Sequence, residues 1–315
     1  MEEPDMTSTE AILDGKVVIV TGAARGIGAA LAREICRLGG SVILNDLDDE
    51  AIGALATELT GNGRDAVPFV GDASDWETAR RLVDISVSAF GRLDGLVNCA
   101  GVFEMGRLLD LRDGDISRVF ASSVLATANC AHHAAKVMTL QGSGSIINVV
   151  SGAHMGMPAM GVYGAAKGAA ASFTYAWSLE LAASGVRVNG LSPLALTRQV
   201  EVAQAFQAAR NVVGPKGALP DPSANVGAFT YPLSDEWAAV TGQILRVEGD
   251  ALSLMNHPSI AVPVLERDAW TYEAVLEAFS TVFKGRLAPV GVAALDARPA
   301  GTGSKIWNEE PVAGT

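Results

Sequence analysis

Ser151, Tyr163 and Lys167, in the stretch SGAHMGMPAMGVYGAAK, are the side chains best suited by type and spacing to move a proton. If the chain is helical from Val162 onward, Tyr163 and Lys167 stand one turn apart on one face. A free phenol with a pKa near ~10 is almost wholly protonated at neutral pH and is a poor base. An ammonium group held close favours the phenolate and lowers that pKa. A hydroxyl from Ser151, arriving from the end of a preceding strand, can hold a substrate oxygen against the phenol. Together the three make a proton-transfer device for an alcohol or a ketone. A tyrosine and a lysine also share a helix face by chance, so the meaning of the pair depends on what surrounds it.

The upstream chain supplies elements able to position them. Lys16 to Thr21 (KVVIVT) is a continuous β-branched run, as expected for a strand buried on both faces. Further strands are expected at Ser41 to Asp46, Ala66 to Gly71, Gly95 to Asn98, Ser145 to Val150, Arg187 to Leu191 and Gln243 to Glu248. Helices are expected at Ala29 to Leu38, Asp49 to Leu59, Trp76 to Phe90, within Asp113 to Leu140, and, holding Tyr163 and Lys167, from Val162 to about Ser184. Such alternation predicts a doubly wound, Rossmann-type α/β fold: a seven-stranded parallel sheet with helices on both faces. One domain over residues 1–315 is expected, with its core at 15–249, a substrate lid at 194–220 and a C-terminal extension at 250–315.

Between the first strand and the first helix lies Gly22-x-x-x-Gly26-x-Gly28, the context expected of a dinucleotide site. Gly22 permits a tight turn, Gly26 allows close approach to a pyrophosphate, and Gly28 lets the helix pack on the sheet. Backbone N–H groups at the helix start then face the phosphates. Asp46 ends the second strand, where an acid can accept from an adenosine ribose hydroxyl. Its neighbours, Asn45-Asp46-Leu47-Asp48-Asp49-Glu50, include no base, so a 2′-phosphate would meet like charges and NAD is favoured over NADP. Arg25, inside the turn with Ile27, could still reach a phosphate. Asp72, followed by Ala73 after the third strand, is a candidate partner for the adenine amino group; it serves equally well as a strand-end turn residue.

Bulk composition narrows the classes. Apolar content of 49% supports a substantial core, while a net charge of −12 speaks against nucleic-acid or anionic-membrane partners. Cys36, Cys99 and Cys130 are odd in number and lack metal-ligand spacing, and read as buried thiols in a reducing compartment with no metal. The N-terminal MEEPDMTSTE is acidic and polar, unlike a signal or transit peptide, and no apolar run approaches membrane-spanning length. A cytoplasmic protein is expected.

These motifs, in this order, resemble the short-chain dehydrogenase/reductase family: Thr21-Gly22-x-x-x-Gly26-x-Gly28, Asn98-Cys99-Ala100-Gly101, Ser151, Tyr163-x-x-x-Lys167, Val188-Asn189-x-x-x-Pro193 with Thr197, and Thr241-Gly242-Gln243. The resemblance covers roughly Gly15 to Gly249. It implies that Tyr163 is the catalytic acid/base and that Lys167 binds the nicotinamide ribose and lowers the Tyr163 pKa. It further implies that Ser151 orients the substrate oxygen, that Asn98, Ala100 and Gly101 line the cofactor cleft, and that Thr197, beyond Pro193, meets the carboxamide. A homodimer or homotetramer, assembled through the helix within 113–140 and the helix carrying Tyr163, is likewise implied. Three positions depart from the family pattern. Ser123 stands where an Asn usually holds a relay water, Cys99 replaces an Asn, and Leu194 replaces a Gly.

On the substrate side, Val102, Phe103, Met155, Met157, Met160, Leu194 and the amphipathic Gln199 to Val213 suggest an adaptable apolar pocket. His154 could touch substrate or lie in solvent, and His132 and His133 read as packing or interface residues. Past Gly249, Thr271 is placed to cap a helix running to about Phe283. That extension resembles short-chain enzymes related to the 3-hydroxyacyl-CoA dehydrogenase part of peroxisomal multifunctional enzymes. Coenzyme A would need cations, and Arg198, Arg210 and Lys216 are those near the lid. The expected function is NAD-dependent interconversion of a secondary alcohol and a ketone, with hydroxysteroid and 3-hydroxyacyl-CoA substrates as alternatives. A catalytically silent NAD-sensing protein is the alternative of another class.

Overall fold

β1 (Val17–Thr21) is buried along its whole length, as its β-branched composition demands. The computed structural model describes residues 11–195, 206, 220–248 and 250–287. Around β1 lie β2 (Ser41–Asp46), β3 (Ala66–Val70), β4 (Gly95–Asn98), β5 (Gly144–Val149), β6 (Val186–Leu194), β7 (Ile244–Glu248) and β8 (Ala251–Leu254). They form one sheet in the order β3-β2-β1-β4-β5-β6-β7-β8. Pairings from β3 through β7 are parallel, and the order reverses between β1 and β4. In such sheets the crevice beyond the strand ends at that reversal is where ligands bind.

Alternate residues of each strand feed opposite cores. Val18 and Val20 pack with α1 (Gly26–Arg37), α2 (Asp49–Gly61) and a later helix, Val226–Leu233. Ile19 packs with α3 (Trp76–Phe90) and α5 (Ala126–Gln141), and α6 (Gly161–Leu181) joins that face through Trp177 and Leu181. The doubly wound fold read from the sequence is therefore the one observed. Asp48 and Asp75 cap α2 and α3, accepting from Ala51 N–H at 3.1 Å and Thr78 N–H at 2.7 Å.

The structure departs from expectation in two places. An eighth strand, β8, lies antiparallel on β7. The single helix expected within 113–140 is instead α4 (Asp115–Phe120), a π-turn at Ala121–Leu125, and then α5. Thr271 caps the C-terminal helix Tyr272–Ala278 as read, accepting from Ala274 N–H at 3.3 Å. Among the described residues no helix is long and apolar enough to cross a membrane.

Candidate active site

Two short-range constraints bring Ser151 to Tyr163. Val150, just past β5, donates its N–H to Leu191 O at 2.7 Å, which ties the strand end to β6. Ser151 then opens a 3₁₀ turn over Gly152–Met155, its Oγ accepting from Ala153 N–H at 3.2 Å. α6 can press against this turn because residue 164 is glycine: a Cβ there would lie 2.6 Å from Ala153 O. The Ser151 hydroxyl is consequently brought to the Tyr163 phenol, where it favours the phenolate. Phe103 meets the tyrosine ring edge-on, with centroids 4.9 Å apart.

Lys167 is buried beside them, but it does not do what helix spacing alone implied. Its Nζ donates to Val149 O at 2.8 Å and lies 5.8 Å from the Tyr163 ring centre. Burial pushes the Tyr163 phenol up to about 12, only partly opposed by the Ser151 hydrogen bond. Burial also lowers the Lys167 ammonium to about 8, against a smaller upward pull from Cys99. The net direction of the phenol is therefore upward, set by its burial, while the Lys167 ammonium is engaged by the Val149 carbonyl.

The glycine-rich turn is built by close approach. Gly22 has φ +68°, and a Cβ on it would lie 2.9 Å from Ala100 Cα. Gly28 would drive a Cβ to 2.1 Å from Gly22 O, so this glycine seats α1 on the turn itself rather than on the sheet. Thr21 Oγ1 accepts from both Cys99 and Ala100 N–H at 3.1 Å, fastening the β4 loop to the turn. Asp46 accepts from Ala24 N–H at 3.0 Å and from Leu47 N–H at 2.7 Å. Arg25 pairs with Asp48. Asp72 closes a turn by accepting from Ser74 N–H at 2.8 Å, and Ala73 is buried behind it.

Asn98 and Ser123 leave buried acceptors without a partner among the described residues, Asn98 Oδ1 and Ser123 Oγ. Ser123 projects from the π-turn toward Gly101. A Cβ on Gly101 would sit 2.8 Å from Ser123 Oγ and 3.6 Å from Lys167 Nζ, so hydroxyl and ammonium flank one point at the cleft. Unmatched buried polar atoms beside a glycine-lined crevice, an amide oxygen and a hydroxyl, fit the polar groups of a dinucleotide.

On the substrate side, Phe103 borders the site, while Met157, Pro193 and Leu194 are half-buried. His154 is tied to the loop: its Nδ1 lies 2.6 Å from Ser151 O. His132 and His133 meet the Trp76 ring, one tilted and the other edge-on, in keeping with a packing role. Thr197, Arg198, Arg210, Lys216 and nearly all of the expected lid lie outside the described residues. Burial pushes the Cys99 thiol up to about 11 and Cys130 to about 12. Ala159 holds φ +61° while its carbonyl accepts from Gly106 N–H at 2.8 Å, linking the β4 loop to the loop before α6. That φ is costly with a Cβ, so Ala159→Gly is expected to raise unfolding free energy by about 1 kcal/mol in urea titration.

Asn148, Thr174 and Arg246 also shape the site and were not singled out from the sequence, and Thr21 was read there only as the first residue of the turn motif. Asn98 Nδ2 donates to Asn148 Oδ1 at 2.9 Å, and Asn148 Nδ2 to Thr174 Oγ1 at 3.1 Å, a buried polar chain from β4 to α6. Polar residues inside strands that otherwise read as apolar were the available signal.

Residues 16–208 match the family model described as short chain dehydrogenase. A 3-oxoacyl-(acyl-carrier-protein) reductase of Thermotoga maritima is 30% identical over 240 residues, spanning 75% of this chain and 98% of its own length. A cis-4-hydroxycyclohexanecarboxylate dehydrogenase of Sinomonas cyclohexanicum is 35% identical over 243 residues, spanning 74% and 95%. The crystal structure of a short chain dehydrogenase from Mycobacterium avium superposes with a TM-score of 0.75 at 26% identity, covering 89% of this chain and 98% of that one.

Proposed function

The chain belongs to the short-chain dehydrogenase family, and from that premise we propose that it is an NAD-dependent oxidoreductase interconverting a secondary alcohol and a ketone. One observation carries the proposal: Ser151, Tyr163 and Lys167 converge, with the serine hydroxyl close enough to favour the phenolate of the buried Tyr163 and with Lys167 buried beside it. Tyr163 holds or releases the proton of the substrate oxygen, and Ser151 orients that oxygen against the phenol. A phenol at about 12 keeps its proton at neutral pH, so it is set to act as an acid toward a carbonyl. Lys167 contributes a buried positive charge that favours the phenolate left behind. Ser123 offers a hydroxyl able to hold a water beside Lys167.

Gly22, Gly26, Ile27 and Gly28 would bind the pyrophosphate, Asp46 the adenosine ribose, Asp72 and Ala73 the adenine, and Asn98, Ala100 and Gly101 the nicotinamide end, with Pro193 and Thr197 beyond. When bound, the nicotinamide accepts or returns a hydride. NAD is preferred because Asp46 ends β2 among acids, and because Arg25, the base nearest the turn, is paired with Asp48. Asp46→Ala is expected to shift the ratio of kcat/KM for NAD over NADP toward NADP by about tenfold, by relieving like-charge repulsion. Equal efficiency of the parent with both cofactors would defeat this assignment.

The substrate is bulky and apolar, in keeping with Phe103 on the Tyr163 ring and with the apolar residues Met157 and Leu194 expected on the substrate side. A cofactor-linked absorbance screen over cyclohexanols, hydroxysteroids and 3-hydroxyacyl thioesters tests the reading, and absence of turnover in all three would sink it. The family resemblance supports a homodimer or homotetramer, and three free cysteines support a reducing, cytoplasmic location. A groove of about 850 Å³ along α5 and α6, lined by Trp76, His132 and Trp177, offers a face for assembly.

A further inference from the structure

β7 carries a pair of buried charges that the mechanism above does not use. Arg246 and Glu248 lie two residues apart, with Ile244, on the face that packs against α6. Their side chains are 13% and 5% exposed. Arg246 donates from Nε and Nη2 to Glu248 Oε2 at 3.1 and 2.9 Å, and from Nη1 to Ser192 Oγ at 3.1 Å. A planar guanidinium bonded at three nitrogens is fixed in orientation as well as position.

That fixed group abuts the turn holding Ser151. A Cβ on Gly152 would lie 2.6 Å from Arg246 Nη1 and 3.2 Å from Cζ, so only glycine fits against the guanidinium. The next residue of the turn meets α6, where a Cβ on Gly164 would lie 2.6 Å from Ala153 O. Residue 164 directly follows Tyr163. The backbone leaving Ser151 is therefore bounded by β7 at Gly152 and by α6 at Ala153, and both contacts are too close for a side chain. Buried ion pairs contribute little net stability compared with apolar residues of similar size, while a fully bonded one fixes geometry.

Resting on the oxidoreductase reading of the same site, we propose that Arg246 is a positioning residue for Ser151, bracing the Gly152–Met155 turn so that the serine hydroxyl stays on the Tyr163 phenol. Glu248 and Ser192 orient the brace. Arg246 itself touches neither the phenol nor the ammonium.

The test has a structural arm and a kinetic arm. In ligand-free protein, Arg246→Met is expected to speed amide hydrogen exchange at Ala153 and His154 by about tenfold, with the interior of α6 unchanged, because these amides bond to Ser151. Arg246→Lys, which keeps the charge without the fork, is expected to do the same. Should Arg246→Met fail to fold, Arg246→Met with Glu248→Gln removes both charges of the buried pair and is read in its place. With NAD and the best alcohol of the screen, Arg246→Met is expected to lower kcat about tenfold without changing the KM for NAD, and less than about twofold when Ser151→Ala is already present. Unchanged exchange at Ala153 and His154 overturns the proposal, and so does an equal kcat loss with and without Ser151. Faster exchange in a protein that turns over no alcohol upholds the brace and removes the oxidoreductase reading instead.

Discussion

Tyr163→Phe is expected to lower kcat by about a thousandfold, the middle of the range for removing a general acid. The change deletes one oxygen and keeps the ring that meets Phe103 at 4.9 Å, so packing around the site is preserved. What disappears is the hydroxyl beside Ser151, and with it the proton for the substrate oxygen. A loss of that size corresponds to about 4 kcal/mol of transition-state stabilisation. Binding of NAD is expected to stay within about twofold, since a proton donor made useful only in the transition state adds little to ground-state affinity. Steady-state kinetics and calorimetric titration of NAD, run on parent and variant, read the two quantities separately. Equal and negligible rates in both proteins, with NAD binding intact, would identify a nucleotide sensor on an enzyme fold.

Much of the architecture behind this expectation could be read from residue types. KVVIVT can only be a doubly buried strand, and the glycines after it mark a turn whose φ angles and close approaches exclude side chains. β8 escaped because ALSL points Leu252 and Leu254 into solvent, reversing the inward pattern by which a strand announces itself. The π-turn at Ala121–Leu125 escaped for another reason: ASSVL has no proline or glycine, and the extra residue per turn shows only in the bond from Ala126 N–H to Ala121 O. Spacing placed Tyr163 and Lys167 on one face correctly. It could not say that Lys167 would be drawn to the Val149 carbonyl, since that carbonyl belongs to β5 and is distant in sequence. Nor could it weigh burial against charge. Arg246 and Glu248, two charges on one face of a buried strand, were the overlooked hint of a fixed group behind the site.

The same balance of burial and charge sets the pH dependence of ketone reduction, which is expected to fall as pH rises through about 8. Lys167, lowered from 10.5 to about 8, carries its charge below that value and loses it above. Tyr163, raised to about 12, keeps its proton across the whole interval and remains a competent donor. When the phenol gives up that proton, the resulting anion needs the ammonium 5.8 Å from its ring centre, and a neutral amine does not stabilise it. The rate should therefore drop by about tenfold per pH unit above 8, reaching roughly a hundredfold by pH 10. Unfolding is not the cause. Between about 8 and 10.5 the unfolded chain binds more protons at Lys167 than the folded one, so this group makes stability rise with pH there. Lys167→Arg supplies the control, because a guanidinium stays charged throughout. Its rate is expected to be lower but level from pH 7 to 10. A parent profile that is flat to pH 10 would mean that the Lys167 charge plays no part in proton transfer, whatever its place in the cleft.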